Sequence, residues 1–321
     1  MDYASVMASG VLKFIQMTER FYSSEAATLS LSDTRQAYDQ LCRAFDSPLP
    51  PHMAVHDKTV LGRDGHHQIG VRCYSPENTN VDHILIYLHG GGFTLGGLDT
   101  HHSICADISY RSGAELVAVD YRLAPENRFP TLLEDAEDAV TWAALAYPDR
   151  RVVLIGDSAG AWLVAMVSAA LASDLPIAGQ VLIYPWLGGA ATKGSYIEHA
   201  NAPLLSLREA IACGKALYGD NYDHETASPP LANRDAFGLP PTRAFAAECD
   251  PLRDDAAAYC DNIISAGGDA SLMLERGLPH GYLRGRHHSV EIAEAFEHII
   301  DAVKGLMQLP KDSDDQILKT R

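Results

Sequence analysis

The chain has 321 residues, 47% hydrophobic and 21% charged, an ordinary composition for a soluble globular protein. That length accommodates one large α/β domain with a lid, or two smaller domains. Forty-two acidic residues against 25 basic ones give a formal net charge of −17, which opposes nucleic acid or stable membrane association as a mode of binding.

Residues 1–50 read as two amphipathic helices. The first carries Tyr3, Met7, Val11, Phe14, Ile15 and Phe21 on one face, and the second starts near Ser32 as N-cap and ends at Pro48-Leu49-Pro50-Pro51. Strand-like runs follow at Val55–Leu61, Gln68–Tyr74, Ile84–Leu88, Leu116–Tyr121, Val152–Ile155, Gln180–Pro185, Arg243–Ala247 and Ser271–Glu275. From the third run onward they alternate with helical segments at His101–Ser112, Leu132–Ala146, Ser158–Ser173, Asp254–Ala266 and Val290–Leu309. Apolar strands alternating with helices predict a mostly parallel sheet of about eight strands, covered on both faces. Residues 187–230 break that rhythm with short helical pieces such as Leu207–Leu217. The predicted organisation is therefore cap helices over 1–50, a catalytic domain in two parts (51–186 and 231–310), a cap insertion over 187–230, and a flexible tail over 311–321.

The six cysteines, Cys42, Cys73, Cys105, Cys213, Cys249 and Cys260, show no CxxC and no metal-ligand spacing. The N-terminus has no basic region ahead of an apolar segment, so it does not read as a signal peptide. A reduced, cytoplasmic protein without a metal is the expectation.

Gly156-Asp157-Ser158-Ala159-Gly160 follows the apolar run Val152–Ile155 directly. Glycines flanking a serine between strand and helix permit a sharp turn that exposes the hydroxyl, with the next backbone N–H at a helix N-terminus. His89-Gly90-Gly91-Gly92-Phe93 follows another strand, and three successive glycines suit backbone N–H groups that point into a cavity. A nucleophilic serine needs a base, and the base needs an orienting carboxylate. His280 follows the last strand in Gly277-Leu278-Pro279-His280-Gly281-Tyr282, unlike the tandem histidine pairs elsewhere. Asp250 follows the run Ala244–Ala247 and completes the order Ser, Asp, His. Asp254 and Asp255 read as helix-starting residues, and Glu248 as a partner for a nearby base. Asp120, Arg122 and Glu126 read as an ion-pair network bracing the loops.

Taken together, His89–Phe93, Tyr121–Glu126, Gly156–Gly160, Asp250–Asp254 and His280-Gly281 resemble the bacterial acetyl esterases of the hormone-sensitive lipase family of α/β-hydrolases, from about residue 30 to 305. By that resemblance Ser158 is the nucleophile, His280 its base and Asp250 the orienting acid. Gly91, Gly92 and Ala159 supply the oxyanion hole, and His89, Gly90, Gly156, Asp157 and Gly160 shape the two loops. The resemblance implies hydrolysis of a small-molecule ester with a short acyl chain, through an acyl-enzyme and without a cofactor. Phe93 and Tyr282 are possible pocket residues, and Trp162 is expected to pack under the cap. An amidase, a lactonase, a longer-chain lipase or a non-catalytic ligand-binding homologue would use the same framework. Edge strands leave a homodimer open.

Overall fold

A computed structural model describes residues 2–21, 30–220, 222, 236 and 238–309. The expected tail 311–321 and residues 221 and 223–230 of the expected insertion lie outside the described residues. Its sheet contains β1 (Ala54–Leu61), β2 (Gln68–Ser75), β3 (Asn80–Leu88), β4 (Ala114–Asp120), β5 (Arg151–Asp157), β6 (Ile177–Ile183), β7 (Thr242–Cys249) and β8 (Ala270–Pro279). They lie in the order β1-β2-β4-β3-β5-β6-β7-β8, with β2 antiparallel to both its neighbours and every other pair parallel.

Helices α1 (Ser9–Glu19), α2 (Leu31–Ala44), α3 (His102–Ser112) and α9 (Val290–Gln308) pack on one face of the sheet. Helices α4 (Thr131–Ala146), α5 (Ala159–Leu171) and α8 (Arg253–Ser265) pack on the other. Alternation along β3 shows why the central strands are apolar throughout: Ile84, Ile86 and Leu88 enter one core, Leu85 and Tyr87 the other. Helix α5 is buried from Ala159 to Ser168, as its uniformly apolar sequence requires.

The insertion between β6 and β7 contributes α6 (Ser195–Glu198) and α7 (Leu207–Tyr218). Ser206 and Glu209 form a reciprocal capping box that fixes where α7 begins. Among the described residues, no helix is long and apolar enough to cross a membrane.

Three local expectations are corrected. The N-cap of α2 is Ser30, whose hydroxyl accepts from Asp33 N–H at 3.1 Å, and Ser32 lies inside the first turn. Tyr3 belongs to a separate 3₁₀ turn capped by Asp2, not to α1. Asp120, Arg122 and Glu126 share no network. Arg122 pairs with buried Asp135 of α4 (2.7 Å) and Glu126 with Arg35 of α2 (2.7 Å), while Asp120 lies beside Gly70 of β2. Successive side chains leave this loop in different directions, so each meets a different element.

Gly305 lies in the last turns of α9, and a methyl group there would meet nothing within 4 Å. Gly305→Ala should therefore stabilise the protein by roughly 0.5–1 kcal/mol through reduced backbone entropy of the unfolded chain. A lower denaturation midpoint in urea for the variant would contradict this.

Candidate active site

β5 ends at Asp157 and α5 begins at Ala159, leaving Ser158 at the apex with φ 54° and ψ −118°. Such a conformation is strained for any residue with a side chain and holds only where its surroundings over-determine it. Here the constraint is close packing of the turn against β3. A Cβ on Gly160 would lie 2.0 Å from the carbonyl oxygen of Leu88, and one on Gly156 would lie 2.5 Å from that of Gly160.

Ser158 Oγ lies 2.8 Å from His280 Nε2, and His280 Nδ1 lies 2.7 Å from Asp250 Oδ2. A carboxylate only accepts hydrogen bonds, so Nδ1 carries the proton and Nε2 is left free to accept from the serine hydroxyl. Asp250 is 0% exposed, and its other oxygen accepts from Leu252 N–H at 2.9 Å. All three residues follow the C-terminal ends of parallel strands (β5, β7 and β8), and the sheet register brings those ends together.

The loop after β3 closes the other side. Gly91 (φ 126°), Gly92 (φ 58°) and Phe93 (φ 65°) have positive φ, and Gly91, Gly92 and Ala159 line the same cavity as Ser158 and His280. Gly90 N–H donates to Asp157 Oδ1 at 2.8 Å, which ties this loop to the serine turn. Asp157 also accepts from the Tyr87 hydroxyl at 2.8 Å. Burial pushes its carboxyl up, but His101, Tyr87 and Arg284 outweigh that and hold it below the usual carboxylate range. His89 stacks on Tyr121 with ring centroids 4.3 Å apart. Burial and neighbouring His101 lower it to about 3, so it stays neutral and shapes the loop.

Residues 85–284 match the family defined by the α/β-hydrolase fold. The chain belongs to the hormone-sensitive lipase family of α/β-hydrolases. The hydrolase is 38% identical over 250 residues to carboxylesterase NlhH of Mycobacterium tuberculosis, covering 73% of this chain and 77% of that one. It is 30% identical over 294 residues to an ethyl acetate hydrolase of Pseudomonas putida, covering 87% and 91%. A hyperthermophilic esterase from the archaeon Pyrobaculum calidifontis superposes with a TM-score of 0.84 at 28% identity, covering 94% of this chain and 99% of that one.

The cavity of this α/β-hydrolase measures about 620 Å³ and is lined from both sides by the segments outside the sheet. Phe14, Thr18, Tyr38 and Leu41 come from α1 and α2, and Leu205, Ala210 and Cys213 from the insertion. Phe93 lines it, with its ring edge-on to Trp186 at 5.4 Å. Tyr282 does not line it. Gly281, at φ 70°, turns the chain into a 3₁₀ helix (Tyr282–His287), so Tyr282 enters the core behind Tyr184 at 0% exposure. Trp162 is likewise fully buried, among Phe93, Phe129 and Trp186.

Glu248 meets Arg276 (2.9 Å) and Gly277 N–H (2.7 Å), away from the histidine. Asp254 and Asp255 lie in the first turn of α8 but bond across to the insertion. Asp254 accepts from Ser195 N–H; Asp255 accepts from the N–H groups of Leu187, Gly188 and Gly189 and from the Tyr196 hydroxyl. Burial raises Asp255 to about 7 despite those donors. Sequence reasoning missed Tyr184, whose ring lies 4.8 Å from that of His280, although its place directly after β6 puts it on the edge that carries the site. It also missed Arg284 in the cavity wall, for which no local motif gave a signal.

Proposed function

We propose that this carboxylic ester hydrolase is a serine esterase acting on short-chain acyl esters, with Ser158 as nucleophile, His280 as general base and Asp250 as its orienting acid. The single observation that carries the reading is the unbroken hydrogen-bonded chain Ser158–His280–Asp250, at 2.8 and 2.7 Å. Ser158 Oγ attacks the ester carbonyl as its proton moves to His280 Nε2. The N–H groups of Gly91, Gly92 and Ala159 take up the charge developing on the carbonyl oxygen. His280 then gives its proton to the leaving alkoxide, and the acyl group remains on Ser158. Water, deprotonated by the same nitrogen, releases the acid and restores the serine. Asp250 holds the tautomer that makes Nε2 the acceptor and stabilises the imidazolium while it exists.

Two observations support a small ester. A cavity of about 620 Å³ is in the range of small-molecule sites, and Phe93 and Trp186 give it aromatic walls. The ethyl acetate hydrolase among the relatives points the same way. The N-terminal helices and the insertion act as a cap over this cavity. Hydrolysis of p-nitrophenyl esters from acetate to laurate tests the reading: kcat/KM should peak between two and six carbons, and a maximum at ten or twelve would replace the short-chain assignment with an open acyl tunnel.

A further inference from the structure

Arg284 lies four residues beyond His280, in the 3₁₀ helix that carries the chain away from the site. Its side chain forms part of the cavity wall beneath α1 and α2. One Nη donates to Thr100 O (2.8 Å); the other donates to the Tyr38 hydroxyl (2.6 Å) and lies 3.4 Å from His101 Nε2. The guanidinium also sits over the Tyr38 ring, 5.0 Å from its centroid.

Every one of these partners is neutral. Among the described residues no carboxylate forms an ion pair with Arg284, whereas Arg286, two residues further on, pairs with Asp107 at 2.7 Å. Asp157, the carboxylate whose charge acts on Arg284, is reached through His101, which lies 3.4 Å from the guanidinium and 3.5 Å from Asp157. Asp157 and Arg284 therefore offset one another's charge at a distance, without a direct contact. Guanidinium has five N–H donors in a planar fork suited to a carboxylate, and the contacts above leave some of them uncommitted. The other charged side chains at the cavity, buried Asp157 apart, are Glu19, Arg208 and Glu209, and all three are exposed. Glu209 is also occupied by Ser206. Among the described residues, Arg284 is the partly buried cation of the cavity wall, whereas Arg208 is exposed.

We propose that Arg284 is a specificity residue that receives a carboxylate carried on the acyl chain, so that the favoured substrates are half-esters of dicarboxylic acids. The inference rests on the serine-esterase reading of the site. It is tested with a pair of substrates that differ only in the terminal group: monoethyl adipate and ethyl hexanoate, followed by acid release at constant ionic strength. Wild-type enzyme should hydrolyse the half-ester at least as efficiently as the neutral ester. Arg284→Gln should lower the ratio of the two kcat/KM values by roughly tenfold or more, as for loss of a charge-assisted hydrogen bond, with Arg284→Lys in between. An unchanged ratio in Arg284→Gln, including equal loss on both substrates, would reduce Arg284 to a brace between Tyr38 and Thr100. If the Gln variant does not fold, a wild-type ratio below about one tenth overturns the proposal without any variant. Absence of Ser158-dependent turnover of ethyl hexanoate would instead overturn the esterase reading itself, so the two failures are distinguishable.

Discussion

Replacing Ser158 with alanine should lower ester turnover by about four to six orders of magnitude, with thermal stability close to that of the wild type. The loss is large because the hydroxyl is the proposed nucleophile, and the remaining oxyanion donors act only on attack by water. The stability is preserved because the strain at residue 158 belongs to the backbone. Alanine meets the same φ of 54° and ψ of −118°, and the side-chain hydrogen bond given up is the 2.8 Å bond to His280. Parallel assays on p-nitrophenyl acetate and thermal unfolding curves decide the matter. Residual activity within tenfold of wild type, from a folded variant, would remove Ser158 from its role. Lost activity together with a collapsed melting temperature would leave the role unproven and locate the effect in the turn.

How far the site could be read in advance depended on whether its signals were local. The serine turn, the triple glycine, Asp250 and His280 each stand directly after an apolar strand. In a parallel sheet that position places them on one edge, so chain order and strand ends together locate the site. What escaped reading is what depends on contacts between distant segments. Arg284 meets Tyr38 across 246 residues, and Asp255 meets Leu187 across 68, and no spacing in the sequence announces either. Tyr282 shows the same limit at short range. Its place two residues after His280 suggested a pocket residue, but the turn at Gly281 sends its side chain into the core behind Tyr184 rather than into the cavity. The run Asp120–Glu126 suggested mutual ion pairs because its charges are close in sequence. Asp135 and Arg35, brought in by α4 and α2, give Arg122 and Glu126 separate partners instead.

The second large effect is structural and falls on Gly160. Its φ is not in the left-handed region, so conformational freedom is not the reason for glycine here; space is. A methyl group at this position would sit 2.0 Å from Leu88 O and 2.6 Å from His89 O, both backbone atoms of β3 and the loop that follows it. Neither oxygen can retreat cheaply, because β3 is paired on both sides, with β4 and β5. Relief would require α5 to move off the sheet, and α5 is buried along most of its length. Gly160→Ala should therefore destabilise the protein by about 3 kcal/mol or more, at the upper end of overpacking effects. It should also reduce turnover, because the displaced segment carries the N–H of Ala159. Gly281→Ala is the informative control. Gly281 has φ 70° but open space around its Cα, so an added methyl costs only the left-handed strain, roughly 1–2 kcal/mol. Thermal unfolding of the two variants side by side separates the causes. If Gly160→Ala melts as high as Gly281→Ala, the turn is less tightly packed on β3 than the 2.0 Å approach implies.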